Sequence, residues 1–133
     1  MNYDTWHDSG KFYANIGMYK QAIHCYEKAI KISPRNPVCW EYKGIALASL
    51  EKFQAALFCF DKVIGFSKAS QANCADSWYN KGRVYAKLGD LWNALLCYNE
   101  CLRYLPNDDD AQEEKQDVIE KMILMEHSKK EAL

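Results

Sequence analysis

The residues best suited to chemistry in this chain are six cysteines and three histidines, side chains that ligate metals, act as nucleophiles or carry protons. Cys97 and Cys101 stand four residues apart, about one helical turn. They could share a metal, but two thiolates make only half of a tetrahedral zinc site. His7, His24 and His127 lie far apart. An acid–base or metal site needs convergent companions, so these histidines are expected at the surface or at a partner contact. There is no phosphate-cradling glycine loop, HExxH pair or nucleophile elbow. No catalytic residue, metal site or cofactor is expected. Arg83 and Lys87, again one turn apart, offer a different chemistry, a pair of cations that can hold a carboxylate. That carboxylate could belong to a ligand, or to Asp110, Glu113, Asp117 or Glu120 further along the chain.

The elements that position these residues come from a repeat. Trp6, Trp40 and Trp78 are separated by 34 and 38 residues, and each opens one phrase: Trp6-x-x-Ser9-Gly10-x-x-Tyr13, Trp40-x-x-Lys43-Gly44-x-x-Leu47 and Trp78-x-x-Lys81-Gly82-x-x-Tyr85. Sixteen residues after each tryptophan comes an alanine with an aromatic four further on, as Ala22 and Tyr26, Ala56 and Phe60, Ala94 and Tyr98. In paired helices, a glycine costs about 1 kcal/mol in a helix interior. Three of them at matched places therefore imply close backbone contact, with the small alanine and the bulky ring completing the fit. Gly17 and Gly89 stand where the first helices should stop, suited to left-handed capping geometry, and Glu51 replaces that glycine in the middle unit. Cys25, Cys59 and Cys97 each follow the repeat's alanine by three residues, which reads as packing inherited by duplication. Residues 111–126 place Ala111, Val118, Ile119, Met122 and Ile123 behind a run of aspartates, predicting an acid-started helix with one apolar stripe.

These phrases resemble the tetratricopeptide repeat, a helix-turn-helix of about 34 residues, over residues 3–108. The segment ADSWYNKGRVYAKLGD at 75–90 is especially similar to its consensus. The resemblance implies an all-α fold, an α-solenoid of three units at about 3–36, 37–70 and 75–108. A capping helix at about 109–128 makes seven helices in a right-handed superhelical stack, all one domain, with fraying past Ser128. Ser9, Lys43 and Lys81 depart from a preferred leucine, and Lys68 stands in place of a terminal proline. Four extra residues before Trp78 predict either a longer helix or a wider loop within 64–75.

In this family the first helices line a concave surface that receives an extended peptide or a partner helix. Matching positions here are His7, Lys11 and Asn15, then Glu41, Tyr42, Ile45 and Ser49, then Tyr79, Asn80, Arg83 and Lys87. The family's dicarboxylate clamp, which holds the C-terminus of large chaperones, is not matched, because its cation and amide positions carry His7, Lys11, Tyr42, Asp76 and Asn80. The resemblance thus implies a non-catalytic adaptor for a protein or peptide partner. Phe58, Trp92 and Leu96 are apolar where the family is usually polar, with Leu124 and Met125 as further candidates. Unless the terminal helix covers them, they offer a homodimer surface.

Composition bounds the remaining choices. At 133 residues with 49% apolar side chains, one folded domain is the natural reading. Seventeen Lys and Arg against 18 Asp and Glu exclude dominant attraction to nucleic acid or an anionic membrane. Residues 109–133 nevertheless hold 8 acidic and 4 basic groups. No run approaches the ~18 apolar residues that cross a bilayer. Residues 1–10 contain Asp4 and Asp8 and lack the basic and apolar regions of an export signal. Six cysteines could form three disulfides, but in a cytoplasmic protein, as expected here, they read as reduced, partly buried thiols.

Overall fold

Helix starts are set by side chains that accept the first free backbone N–H groups. Asn2 Oδ1 accepts from Thr5 N–H at 2.8 Å, Asn36 Oδ1 from Val38 at 3.1 Å, Asp90 Oδ1 from Asn93 at 3.2 Å and Asp108 Oδ1 from Ala111 at 3.0 Å. Stops follow the expected glycines, with φ of 80° at Gly17 and 79° at Gly89, while Glu51 adopts φ 59° at the same place. All three turns close with one bonding pattern. Met18, Lys52 and Asp90 N–H donate to the carbonyls of Tyr13, Leu47 and Tyr85 at 2.8, 2.9 and 2.9 Å.

The computed structural model describes residues 1–70 and 74–132, apart from the side chains of 69 and 70. Among them run seven helices and no strand: α1 (Tyr3–Asn15), α2 (Tyr19–Ile32), α3 (Pro37–Ser49), α4 (Phe53–Ser70), α5 (Ala75–Lys87), α6 (Leu91–Tyr104) and α7 (Asp109–Ala132). No helix among the described residues is long and apolar enough to cross a membrane. The chain divides into two units, Met1–Ala72 and Asn73–Leu133.

In the first unit, α1 pairs with α2, α2 with α3, and α3 with α4. Its core joins Ala22, Tyr26, Ala29, Cys39 and Ala46, with Trp6 and Tyr42 packed against them. Gly10 and Gly44 let the helices close: a Cβ at Gly44 would lie 2.7 Å from Phe60 Cε1, and one at Gly10 would strike the same edge of Tyr26. The extra residues lengthen a helix, since α4 has 18 residues where α2 and α6 have 14. It continues through Gly65 and buried Ser67. Residues 71–73 of the expected insertion lie outside the described residues.

In the second unit, α5 and α6 repeat this interlock, with Gly82 against Tyr98. Helix α7 then packs on α6 as α3 packs on α2. Buried Ala111 and Val118 hold the places of Cys39 and Ala46 in α3 and of Ser77 and Val84 in α5. A hydrogen bond is reproduced with a different donor. Trp40 Nε1 donates to the Pro34 carbonyl at 2.8 Å, and Gln112 Nε2 to the Pro106 carbonyl at 2.8 Å. Helix α7 remains helical to Ala132, beyond Ser128 where fraying is expected. Ile123 is exposed and so leaves the expected apolar stripe.

Candidate functional site

On the first unit, the candidate residues of α1 and α3 gather around a group of tyrosines. His7 is only 18% exposed. It stacks on Tyr3, with centroids 6.3 Å apart and planes at 8°, and meets Tyr42 at 5.3 Å and Tyr26 at 6.5 Å. Its Nδ1 lies 3.6 Å from the Asp8 carboxylate, and its Nε2 is buried without a hydrogen-bond partner. Tyr42 stacks on Tyr26 at 5.9 Å, and the Lys11 ammonium lies 5.9 Å from the Tyr42 centroid, a cation over a ring face. The Cys39 backbone N–H donates to Tyr3 Oη at 3.3 Å. Burial pushes Tyr26 up to about 12 and Tyr3 above the usual tyrosine range, so both phenols stay neutral donors. Other candidates take less part: Asn15 and Ile45 are exposed, Glu41 is half-buried, and Ser49 Oγ donates to its own helix at the Ile45 carbonyl, 3.1 Å away.

On the second unit, the Arg83 guanidinium lies 5.9 Å from the Tyr79 ring, and Tyr79 meets Tyr98 at 6.0 Å. Burial raises both phenols, with Glu114 adding to the rise and Arg83 opposing it. The acidic helix α7 is therefore close, yet among the described residues no ion pair within 4.0 Å joins Arg83 or Lys87 to it. Lys87 is exposed and Asn80 half-buried.

Phe58 is 56% exposed with its edge against Trp40, while Trp92 and Leu96 are 61% and 45% exposed. Helix α7 does not cover the last two, although Met122 and Met125 join Trp92 around a cavity of about 320 Å³. All six cysteines are free and buried. Burial pushes the Cys59 and Cys101 thiols up to about 11, away from nucleophilic character. Among the described residues, no three His, Cys, Asp or Glu side chains are placed to hold a metal.

Matching this helical array, the family model for the tetratricopeptide repeat aligns with residues 3–36 and 75–108. The chain belongs to the tetratricopeptide repeat family. The middle unit, where Glu51 and Lys68 break the pattern, lies outside the two matched spans. A TPR repeat-containing protein of Methanocaldococcus jannaschii is 31% identical over 97 residues, covering 73% of this chain and 16% of that protein. Human RNA polymerase II-associated protein 3 is 27% identical over 121 residues, covering 91% of this chain and 18% of its own length. The chain thus spans less than a fifth of either relative. Among solved structures, the first TPR of Spaghetti (RPAP3) bound to the HSP90 peptide SRMEEVD superposes with a TM-score of 0.84 at 23% identity, over 92% of this chain and 94% of that one.

The tetratricopeptide pattern marks His7, Lys11, Tyr42, Tyr79 and Arg83 by position. It misses Tyr3 and Tyr26, which complete the ring cluster and otherwise read as packing. It also misses a cavity of about 440 Å³ beside Trp6. The signal for that cavity is present in the sequence: Ser9 stands where the other repeats carry Lys43 and Lys81.

Proposed function

We propose that this tetratricopeptide repeat chain is a non-catalytic adaptor that binds an acidic peptide or helix of a partner protein on its first-helix faces. The observation that carries the reading is Arg83. Its guanidinium rests on Tyr79 and enters no ion pair with α7 among the described residues, so it remains available for a ligand carboxylate alongside exposed Lys87. On the first unit, Tyr42 with Lys11 over its ring offers a matching aromatic and cationic contact. The acidic peptide bound by the first TPR of Spaghetti, SRMEEVD, supports a ligand of this charge. The clamp positions differ here; we assign Arg83 and Lys87 as binding residues on the second unit, and Tyr42 as a separate contact on the first.

Peptide-array capture with the purified chain tests this. The Tyr42→Ala, Arg83→Ala, Lys87→Ala triple variant should lose acidic peptides, and the parent chain should release them as salt rises. Capture that survives all three substitutions rules the assignment out. The exposure of Trp92 and Leu96 supports a second reading, self-association through that face. Sedimentation velocity should then show a dimer that Trp92→Glu dissolves; a monomer at every micromolar concentration removes it.

A further inference from the structure

Lys43 and Lys81 share one repeat position, three residues after Trp40 and Trp78. Their ammonium groups lie over those indoles, 5.6 and 5.0 Å from the ring centroids. Trp40 holds a second cation, Lys62, at 5.9 Å, and that ammonium is also 5.3 Å from Phe58. Phe58 in turn meets Trp40 edge-on at 6.1 Å and 64°.

The first repeat keeps this aromatic frame and omits the cation. His24 holds the position of Phe58 and meets Trp6 edge-on at 6.2 Å and 86°. Ser9, however, replaces the lysine, and among the described residues no Lys or Arg lies over Trp6. What stands there is a cavity of about 440 Å³ lined by Trp6, Ser9, Tyr13 and His24, with Met1 and Lys20 contributing.

We infer that this cavity receives a lysine side chain of a partner polypeptide, its ammonium over the Trp6 indole as Lys43 and Lys81 lie over theirs. Lys43 is held in addition by the Glu27 carboxylate at 3.6 Å, a contact the cavity lining does not repeat. A lysine suits it in both parts: the alkyl stem packs on the rings while the ammonium meets the negative face of the indole. Lys20 imposes a like-charge cost, but it is exposed and screened by solvent. A carboxylate drawn by Lys20 would instead face the repelling side of the indole quadrupole. Trp6, Ser9 and Tyr13 lie on a different face of α1 from His7 and Lys11, so this contact adds to the adaptor reading without depending on Tyr42, Arg83 or Lys87.

The test is an NMR titration of the full chain with acetyl-Ala-Lys-Ala-amide and its norleucine and glutamate counterparts, following the Trp6 indole N–H resonance. The lysine peptide should bind about two- to five-fold more tightly than the norleucine peptide. Ser9→Lys, which supplies the ammonium from the chain itself, should fold normally and abolish that preference. Lys20→Ala should sharpen it. The Tyr42, Arg83, Lys87 triple variant should leave it unchanged, which separates this site from the first-helix faces. Equal response to both peptides, stronger binding of a glutamate peptide, or a preference that survives Ser9→Lys overturns the assignment.

Discussion

In each repeat a glycine faces a ring with no space for a Cβ between them. A Cβ at Gly82 would sit 2.5 Å from Tyr98 Cε1, and Tyr98 is fully buried with no room to yield. Gly82→Ala should therefore destabilise by about 1–3 kcal/mol, measured by urea unfolding, even though alanine is the better helix former. Tyr98 Oη is buried without a hydrogen-bond partner, and the second repeat holds Phe60 at that position. Tyr98→Phe should leave stability unchanged or raise it by up to about 1 kcal/mol; a clear loss would mean that the hydroxyl has a partner. The buried thiols give a pH signature. Cys59 and Cys101 lie at about 11 against an ordinary 9.0, so below pH 9 both folded and unfolded chains are protonated. Between 9 and 11 the unfolded chain alone releases those protons, and stability falls over that window. Melting followed by circular dichroism should be flat from about pH 7 to 8.5 and drop beyond it. The glycine–ring pairs could be read from the sequence because their spacing repeats three times. The burial of His7 could not, because its walls are tyrosines from three different helices.

At the scale of elements, two helix-level costs are visible. Glu51 holds the left-handed turn that Gly17 and Gly89 hold elsewhere, and a side chain there costs roughly 1–2 kcal/mol. Gly65 lies inside α4 with nothing within 4 Å of an added Cβ, so its flexibility serves no close approach. Glu51→Gly and Gly65→Ala should each stabilise by about 0.5–1 kcal/mol, additively because they occupy separate elements. Thermal unfolding of both single variants and the double variant checks this. The sequence pointed to the Glu51 turn by substitution within a repeat. It left the insertion open between helix and loop, since Gly65 and Ser67 suit either; the structure extends α4, burying Ser67.

For the whole molecule, stability is expected to be uneven. Ala111 and Val118 anchor α7 in buried positions, whereas residues 123–132 are exposed throughout. Hydrogen exchange should be slow around Val118 and fast beyond Ile123, and deleting residues 127–133 should leave the melting temperature nearly unchanged. Slow exchange at residues 127–132 in the dilute chain would reveal a cover for that end. The fold class and the seven helices found among the described residues followed from the family resemblance, which rests on the small and bulky places that every unit repeats. The position of Arg83 over Tyr79, with no α7 carboxylate within 4.0 Å among the described residues, did not: an acidic neighbour is visible in sequence, but whether a cation chooses that carboxylate or a ring depends on distances only the fold supplies. The Gln112 bond to Pro106 carries one more consequence. It gives α7 the start of a repeat's first helix, yet Gln116 falls where its predecessors have glycine. A ring of the kind that seats on Gly10, Gly44 and Gly82 would meet an amide side chain there, so α7 keeps the entry of the motif while giving up its closest approach.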